Sequence, residues 1–89
     1  MSEAKITMYG TSWCGDCLRA KDFLERHKIQ YLWVNVDSDT EGLNYVKKVN
    51  DGKRIVPTIV FEDGSVMVEP TNAELAKKLT SGIDINRNS

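Results

Sequence analysis

Cysteine, histidine and proline are scarce in this chain. Its 89 residues hold two cysteines, one histidine and two prolines. Two cysteines spaced as Cys14-Gly15-Asp16-Cys17 close too short a loop to staple distant segments, which excludes a disulfide-scaffolded mini-protein. A structural zinc site normally takes four ligands. Beyond the two thiols only His27 and carboxylates are on offer, and His27 lies ten residues past Cys17. An excess of either charge is also missing: 12 Lys and Arg stand against 13 Asp and Glu, a net charge of −1. A nucleic-acid module would carry a basic excess. No apolar run exceeds a handful of residues, Thr58 to Phe61 being an example, so no helix of membrane-spanning length is expected. Met1-Ser2-Glu3-Ala4-Lys5 has no apolar core of the kind a secretion signal needs, and the expected location is the reducing cytoplasm. The length suits one small domain, which buries roughly 60% of its unfolded surface.

In a cytosolic chain, a Cys-x-x-Cys beside a strand-helix-strand pattern reads as a dithiol redox motif. Metal or cluster binding and an inert buried pair are the alternatives. Lys5 to Tyr9 alternates, with Ile6 and Met8 on one face of a short strand. Gly10-Thr11-Ser12 breaks it, and from Gly15 to about His27 the apolar residues Cys17, Ala20 and Leu24 recur at helical spacing, with Ser12 or Thr11 as the expected cap. Tyr31 to Val36 reads as a second strand. Ser38 and Glu41 have capping-box spacing before a helix with Leu43, Val46 and Val49 as its stripe, closed at Asn50-Asp51-Gly52. A third strand, Thr58 to Phe61, turns at Asp63-Gly64 into an antiparallel fourth, Val66 to Val68. Thr71 and Glu74 form a second capping box, opening a helix with Leu75, Ala76 and Leu79 inward. Gly82 is expected to stop it, leaving 83–89 as a frayed tail to a domain of residues 1–82. The order is β-α-β-α-β-β-α, and the helical crossover makes the first two strands parallel.

With Trp13-Cys14-Gly15-Asp16-Cys17 at the first strand-to-helix junction and Val56-Pro57 ahead of a strand, the chain resembles thioredoxin-fold proteins of glutaredoxin size, the mycoredoxins above all. The shared features run from Thr11 through Cys17-Leu18-Arg19, Arg54, Val56-Pro57-Thr58, Phe61 and Asp63-Gly64-Ser65 to Pro70. The resemblance implies an α/β thioredoxin fold with a four-stranded mixed sheet and three helices. It implies an enzyme, a thiol–disulfide oxidoreductase that reduces disulfides or mixed disulfides with a low-molecular-weight thiol, and a cis Pro57. It implies no tightly bound cofactor: glutathione, mycothiol or a similar thiol serves as co-substrate. The expected partners are that thiol, disulfide-containing proteins and a thioredoxin reductase-like flavoprotein, with neither nucleic acid nor membrane, for a monomeric protein. An iron–sulfur or metal carrier using Cys14, or a thioredoxin-like electron donor reduced by a flavoprotein, are the competing functions. Asp16 departs from the family, which usually has an aromatic residue there; Gly15 stands where many members have Pro, and Thr11 where many have Lys. The usual Gly-Gly pair before the last helix is replaced by Val68-Glu69-Pro70.

Cys14, at a helix start whose N–H groups favour a thiolate, is the expected nucleophile, and Cys17 the resolving thiol or simply a small core residue. Trp13 shields the nucleophile and meets a partner, or packs beside the loop. A cis Pro57 would aim the backbone of Val56 at the cysteines for main-chain pairing with substrate. Lys53 and Arg54 can pair with a thiol's carboxylate, near which the resemblance also places Asn44. Thr71 and Asn72 offer helix N–H groups to an anion, unless the capping box uses them. Arg19 and Lys21 read as a solvated face, His27 as a helix end, Trp33 as strand packing. Asp16 is either a helix-start acid or a charge that opposes a neighbouring thiolate and anionic thiols.

Overall fold

The computed structural model describes residues 6–87. Its elements are β1 (Thr7–Gly10), α1 (Gly15–Arg26), β2 (Leu32–Asn35), α2 (Thr40–Val49), β3 (Thr58–Val60), β4 (Val66–Val68) and α3 (Asn72–Arg87). The sheet order is β2-β1-β3-β4, with β1 parallel to β2 and the other pairs antiparallel. This is the four-stranded mixed sheet with three helices that the sequence led us to expect. Lys5, expected in the first strand, lies outside the described residues.

Register explains the two-sided burial. Met8 pairs with Trp33 and Ile59, and Ile59 with Met67, so these four share one face. That face meets Ala20 and Leu24 of α1 and Leu75 of α3 in a core that includes Ile6 and Phe61, with Leu79 packed against it. Tyr9, Val34 and Thr58 share the opposite face. There α2 lies close: a Cβ on Gly42 would sit 2.7 Å from Val34 Cγ1, and Tyr45 stacks on Tyr9 at 5.0 Å. The expected apolar stripe of α2 is corrected accordingly. Gly42 and Val46 are its buried residues, while Val49 in the last turn stays exposed.

The helix ends follow local hydrogen bonding. Thr71 and Glu74 form the reciprocal capping box, at 2.9 and 3.1 Å. The other expected box is displaced by one residue. Asp39, not Ser38, caps α2 by accepting from the Gly42 N–H at 2.9 Å. The cause lies upstream: Asn35 Oδ1 captures the Asp37 N–H, and the Ser38 hydroxyl turns back to the Asn35 carbonyl. Asp39→Ala is therefore expected to cost about 1 kcal/mol, and Ser38→Ala a small fraction of that. Urea midpoints would check it, and the reverse ranking would restore Ser38 as the cap. At the other end of α2, Asp51 and Gly52 both take positive φ, as that turn requires. Gly82 does not stop α3, which continues to Arg87. One internal glycine costs a helix about 1 kcal/mol and no proline follows it. The expected tail is thus helical through residue 87; residues 88 and 89 lie outside the described residues.

Candidate active site

β1 ends at Gly10 and α1 begins at Gly15, so residues 11–14 carry the chain from the end of this interior strand to the helix start. Neither Thr11 nor Ser12 caps α1, contrary to expectation. Cys14 is the residue directly before the first helical one, and its own sulfur accepts the Cys17 N–H at 3.3 Å. Its carbonyl accepts from Leu18 at 3.0 Å, the first bond of the helix. Thr11 stands three residues further back, fully buried, its hydroxyl without a partner among the described residues.

Cys14 is half-buried and faces the carbonyl of Val56 at 4.0 Å. The Val56–Pro57 bond is cis, and the Pro57 carbonyl accepts from the Glu69 N–H at 2.9 Å. Glu69 itself takes φ +51°, in the region that favours glycine, where the sequence has no glycine to signal it. One turn below Cys14, Cys17 is wholly buried. Burial, aided by the hydrogen bond with Cys14, pushes its pKa up to about 12. Gly10 makes the room for it: a Cβ there would lie 2.7 Å from the Cys17 sulfur. The two cysteines are thus unequal, one sulfur at the surface under helix N–H groups and one thiol held neutral beneath it.

Trp13, 64% exposed and the most exposed large apolar residue among the described ones, donates from Nε1 to Asp37 Oδ2 at 2.7 Å. The other oxygen of Asp37 pairs with Arg54 at 3.2 Å, and the Arg54 guanidinium lies 5.6 Å from the centre of the Trp13 ring. Arg54, expected to await a substrate carboxylate, already has one. Asp37 went unnoticed in the sequence because its partners are 24 and 17 residues away and no motif links them. Arg19 is likewise no mere solvated residue. It donates to Asn72 Oδ1 at 2.8 Å and to the Pro70 carbonyl at 3.0 Å, and lies 3.5 Å from Asp16. Asp16 is therefore a partnered charge. Lys21 sits over Trp33, 4.2 Å from the ring centre.

The structure gathers Trp13, Cys14, Cys17, Val56 and Pro57 around one sulfur and places Arg54 beside Trp13. Thr71 is exposed at the start of α3, its N–H and hydroxyl both used by Glu74. Asn44 is exposed on α2. His27 closes the far end of α1 against Phe23, about 20 Å along the helix from Cys14. Among the described residues no three His, Cys, Asp or Glu side chains are grouped to hold a metal ion, and no helix is long and apolar enough to cross a membrane.

The glutaredoxin family model matches residues 6–66. Mycoredoxin 1 of Corynebacterium glutamicum is 38% identical over 76 residues, covering 85% of this chain and 94% of its own. A Mycobacterium tuberculosis protein whose name places it provisionally among the glutaredoxins is 42% identical over 79 residues, covering 89% of this chain and 94% of its own. Among solved structures, a glutaredoxin from Archaeoglobus fulgidus superposes with a TM-score of 0.68 at 26% identity, over 85% of this chain and 86% of the other. A half-buried sulfur at a helix start, a buried thiol one turn below and these relatives lead to one conclusion: the chain belongs to the glutaredoxin family and is a thiol–disulfide oxidoreductase on the thioredoxin fold.

Proposed function

We propose that the chain reduces mixed disulfides formed with a low-molecular-weight thiol, with Cys14 attacking and Cys17 held in reserve. The observation that carries this reading is the Cys14 sulfur at the start of α1, accepting a helix N–H and facing the Val56 carbonyl. In the first step the Cys14 thiolate attacks one sulfur of the substrate disulfide. The substrate S–S bond breaks, a thiolate leaves, and a mixed disulfide remains on Cys14. A second small thiol then attacks the substrate sulfur of that mixed disulfide and frees Cys14. Alternatively Cys17 gives its proton to water and its thiolate attacks the Cys14 sulfur; the bond from Cys14 to the substrate sulfur breaks, the substrate leaves as a thiolate, and a Cys14–Cys17 disulfide closes. Burial raises the Cys17 pKa and keeps that thiol neutral near pH 7, which favours the external thiol.

The rim supports a thiol without carboxylates, of the mycothiol kind, over glutathione. Arg54 is paired with Asp37, Arg19 is held by Asp16, Asn72 and Pro70, and the capping box at the start of α3 uses the N–H groups of Thr71 and Glu74. Trp13 and the Val56 backbone are then the contact surface for the substrate. In this reading the protein works as a monomer in a reducing cytoplasm, served by a thiol pool or by a flavoprotein reductase.

Alkylation tests the assignment of roles. Iodoacetamide at pH 7 is expected to modify Cys14 rapidly and Cys17 slowly, read by mass spectrometry of the reduced protein. Because the Cys17 pKa is raised, its labelling in the folded state climbs with pH throughout the range up to about 12. Faster labelling at Cys17 would reverse the roles.

A further inference from the structure

Asp37 touches neither cysteine, yet it joins the two loops that border Cys14. Its carboxylate takes the indole N–H of Trp13, the residue before Cys14, and the guanidinium of Arg54, two residues before Val56. The Asp37 backbone is itself fixed, its N–H bonded to Asn35 Oδ1 at 2.9 Å at the end of β2. The arrangement has a chemical consequence. Arg54 is the cation beside Trp13, and a free guanidinium there would be a bidentate receptor for a carboxylate. With Asp37 in place that fork is occupied, and an arriving carboxylate must displace an internal one.

We propose that Asp37 is a specificity-determining residue: by occupying Arg54 and holding Trp13 it excludes carboxylate-bearing thiols and leaves the site to uncharged ones. The proposal rests on the reading of Cys14 as the attacking thiol and adds the residue that sets the charge of the substrate it accepts. Both carboxylate oxygens are used, one per partner, so the residue acts as a bridge between the loops. Asp37 and Arg54 are both partly exposed, so the pair is open to competition and its influence is graded and sensitive to salt.

The test uses two symmetric disulfides of similar size and different charge, bis(2-hydroxyethyl) disulfide and 3,3′-dithiodipropionate. Each is mixed with an excess of the fully reduced protein, and the step followed is the first one, in which Cys14 breaks the disulfide, keeps one half as a mixed disulfide and releases the other as one small thiol. The quantity read is the ratio of the anionic to the neutral rate constant. In Asp37→Asn, which keeps an acceptor for the indole, that ratio should rise about fivefold at low ionic strength and fall back in high salt. In Arg54→Gln it should drop below that of the unsubstituted protein. In the double variant, the gain from Asp37→Asn should shrink to less than half, because no guanidinium remains to be freed. An unchanged ratio in Asp37→Asn overturns the proposal. So does an equal gain with and without Arg54, which would make Asp37 one negative charge among others. Failure of the underlying reading looks different: the unsubstituted protein would then reduce neither disulfide.

Discussion

Replacing Cys14 with serine is expected to reduce disulfide exchange to the uncatalysed background while leaving the fold intact. Serine is a favoured helix cap, so it can accept the Cys17 N–H that the sulfur now accepts. What is lost is the nucleophile, since a hydroxyl does not attack a disulfide sulfur under conditions where a thiolate does. Cys17→Ser is a different experiment. It leaves Cys14, the Val56 carbonyl and the Trp13 wall in place, and with excess small thiol it should keep a rate within about tenfold of the unsubstituted protein. The assay follows the 2-mercaptoethanol formed from bis(2-hydroxyethyl) disulfide, separated by chromatography from the reducing thiol, with urea midpoints measured alongside. Two results would be decisive against this division of labour. Turnover surviving in Cys14→Ser would move the nucleophile elsewhere, and a loss in Cys17→Ser as complete as that in Cys14→Ser would make the internal disulfide obligatory.

The fold was legible where the sequence speaks through periodicity and strong breakers. Met8 lies on a strand whose neighbours alternate, Ile59 in a short apolar run before a turn, and Ala20 and Leu24 recur at helical spacing. Asp63-Gly64 also announces its hairpin, in which Gly64 takes positive φ. The cysteine pair was legible because it combines a rare residue with a position between two such patterns. Features decided by one hydrogen bond between similar residues were not. Ser38 and Asp39 are both good caps one position apart, and the choice was made by the Asn35 side chain, which no capping rule consults. Glu69 stands at positive φ with its N–H on the Pro57 carbonyl, a conformation imposed by tertiary contact on a residue that does not prefer it.

The rim of the site was the least legible part. Trp13, Arg54 and Arg19 were each visible as residues, but their partners lie 24, 17 and 53 residues away in the chain. Contacts of that separation leave no local pattern. This is why Arg54 read as an available cation and Arg19 as a solvated one, when both are engaged. The same blindness hid the role of Gly10, which looked like a simple strand breaker.

Gly10→Ala is expected to be the most damaging single-atom addition near the chemistry. The new Cβ would stand 2.7 Å from the Cys17 sulfur and 3.0 and 3.1 Å from two ring carbons of Trp33. None of these neighbours retreats easily. Cys17 is fully buried on α1, Trp33 packs against the core beneath Lys21, and β1 is held between β2 and β3. Overpacking of this kind costs about 1–3 kcal/mol, which in a domain of this length corresponds to a fall in Tm on the order of 10 °C. The functional effect has its own signature. Displacing the Cys17 sulfur loosens the buried thiol, so its alkylation by iodoacetamide should accelerate relative to that of Cys14. Gly15→Ala is the matched comparison. A Cβ on Gly15 meets nothing within 4 Å, and the residue opens α1, where alanine is the better helix former. Its Tm should hold or rise by a few degrees, about 0.5–1 kcal/mol in stability. Thermal unfolding of the two variants side by side checks both signs. A Gly10→Ala protein as stable as the unsubstituted one, with Cys17 still slow to alkylate, would show that β1 and α1 can separate at this point and that the buried thiol is not held there by packing.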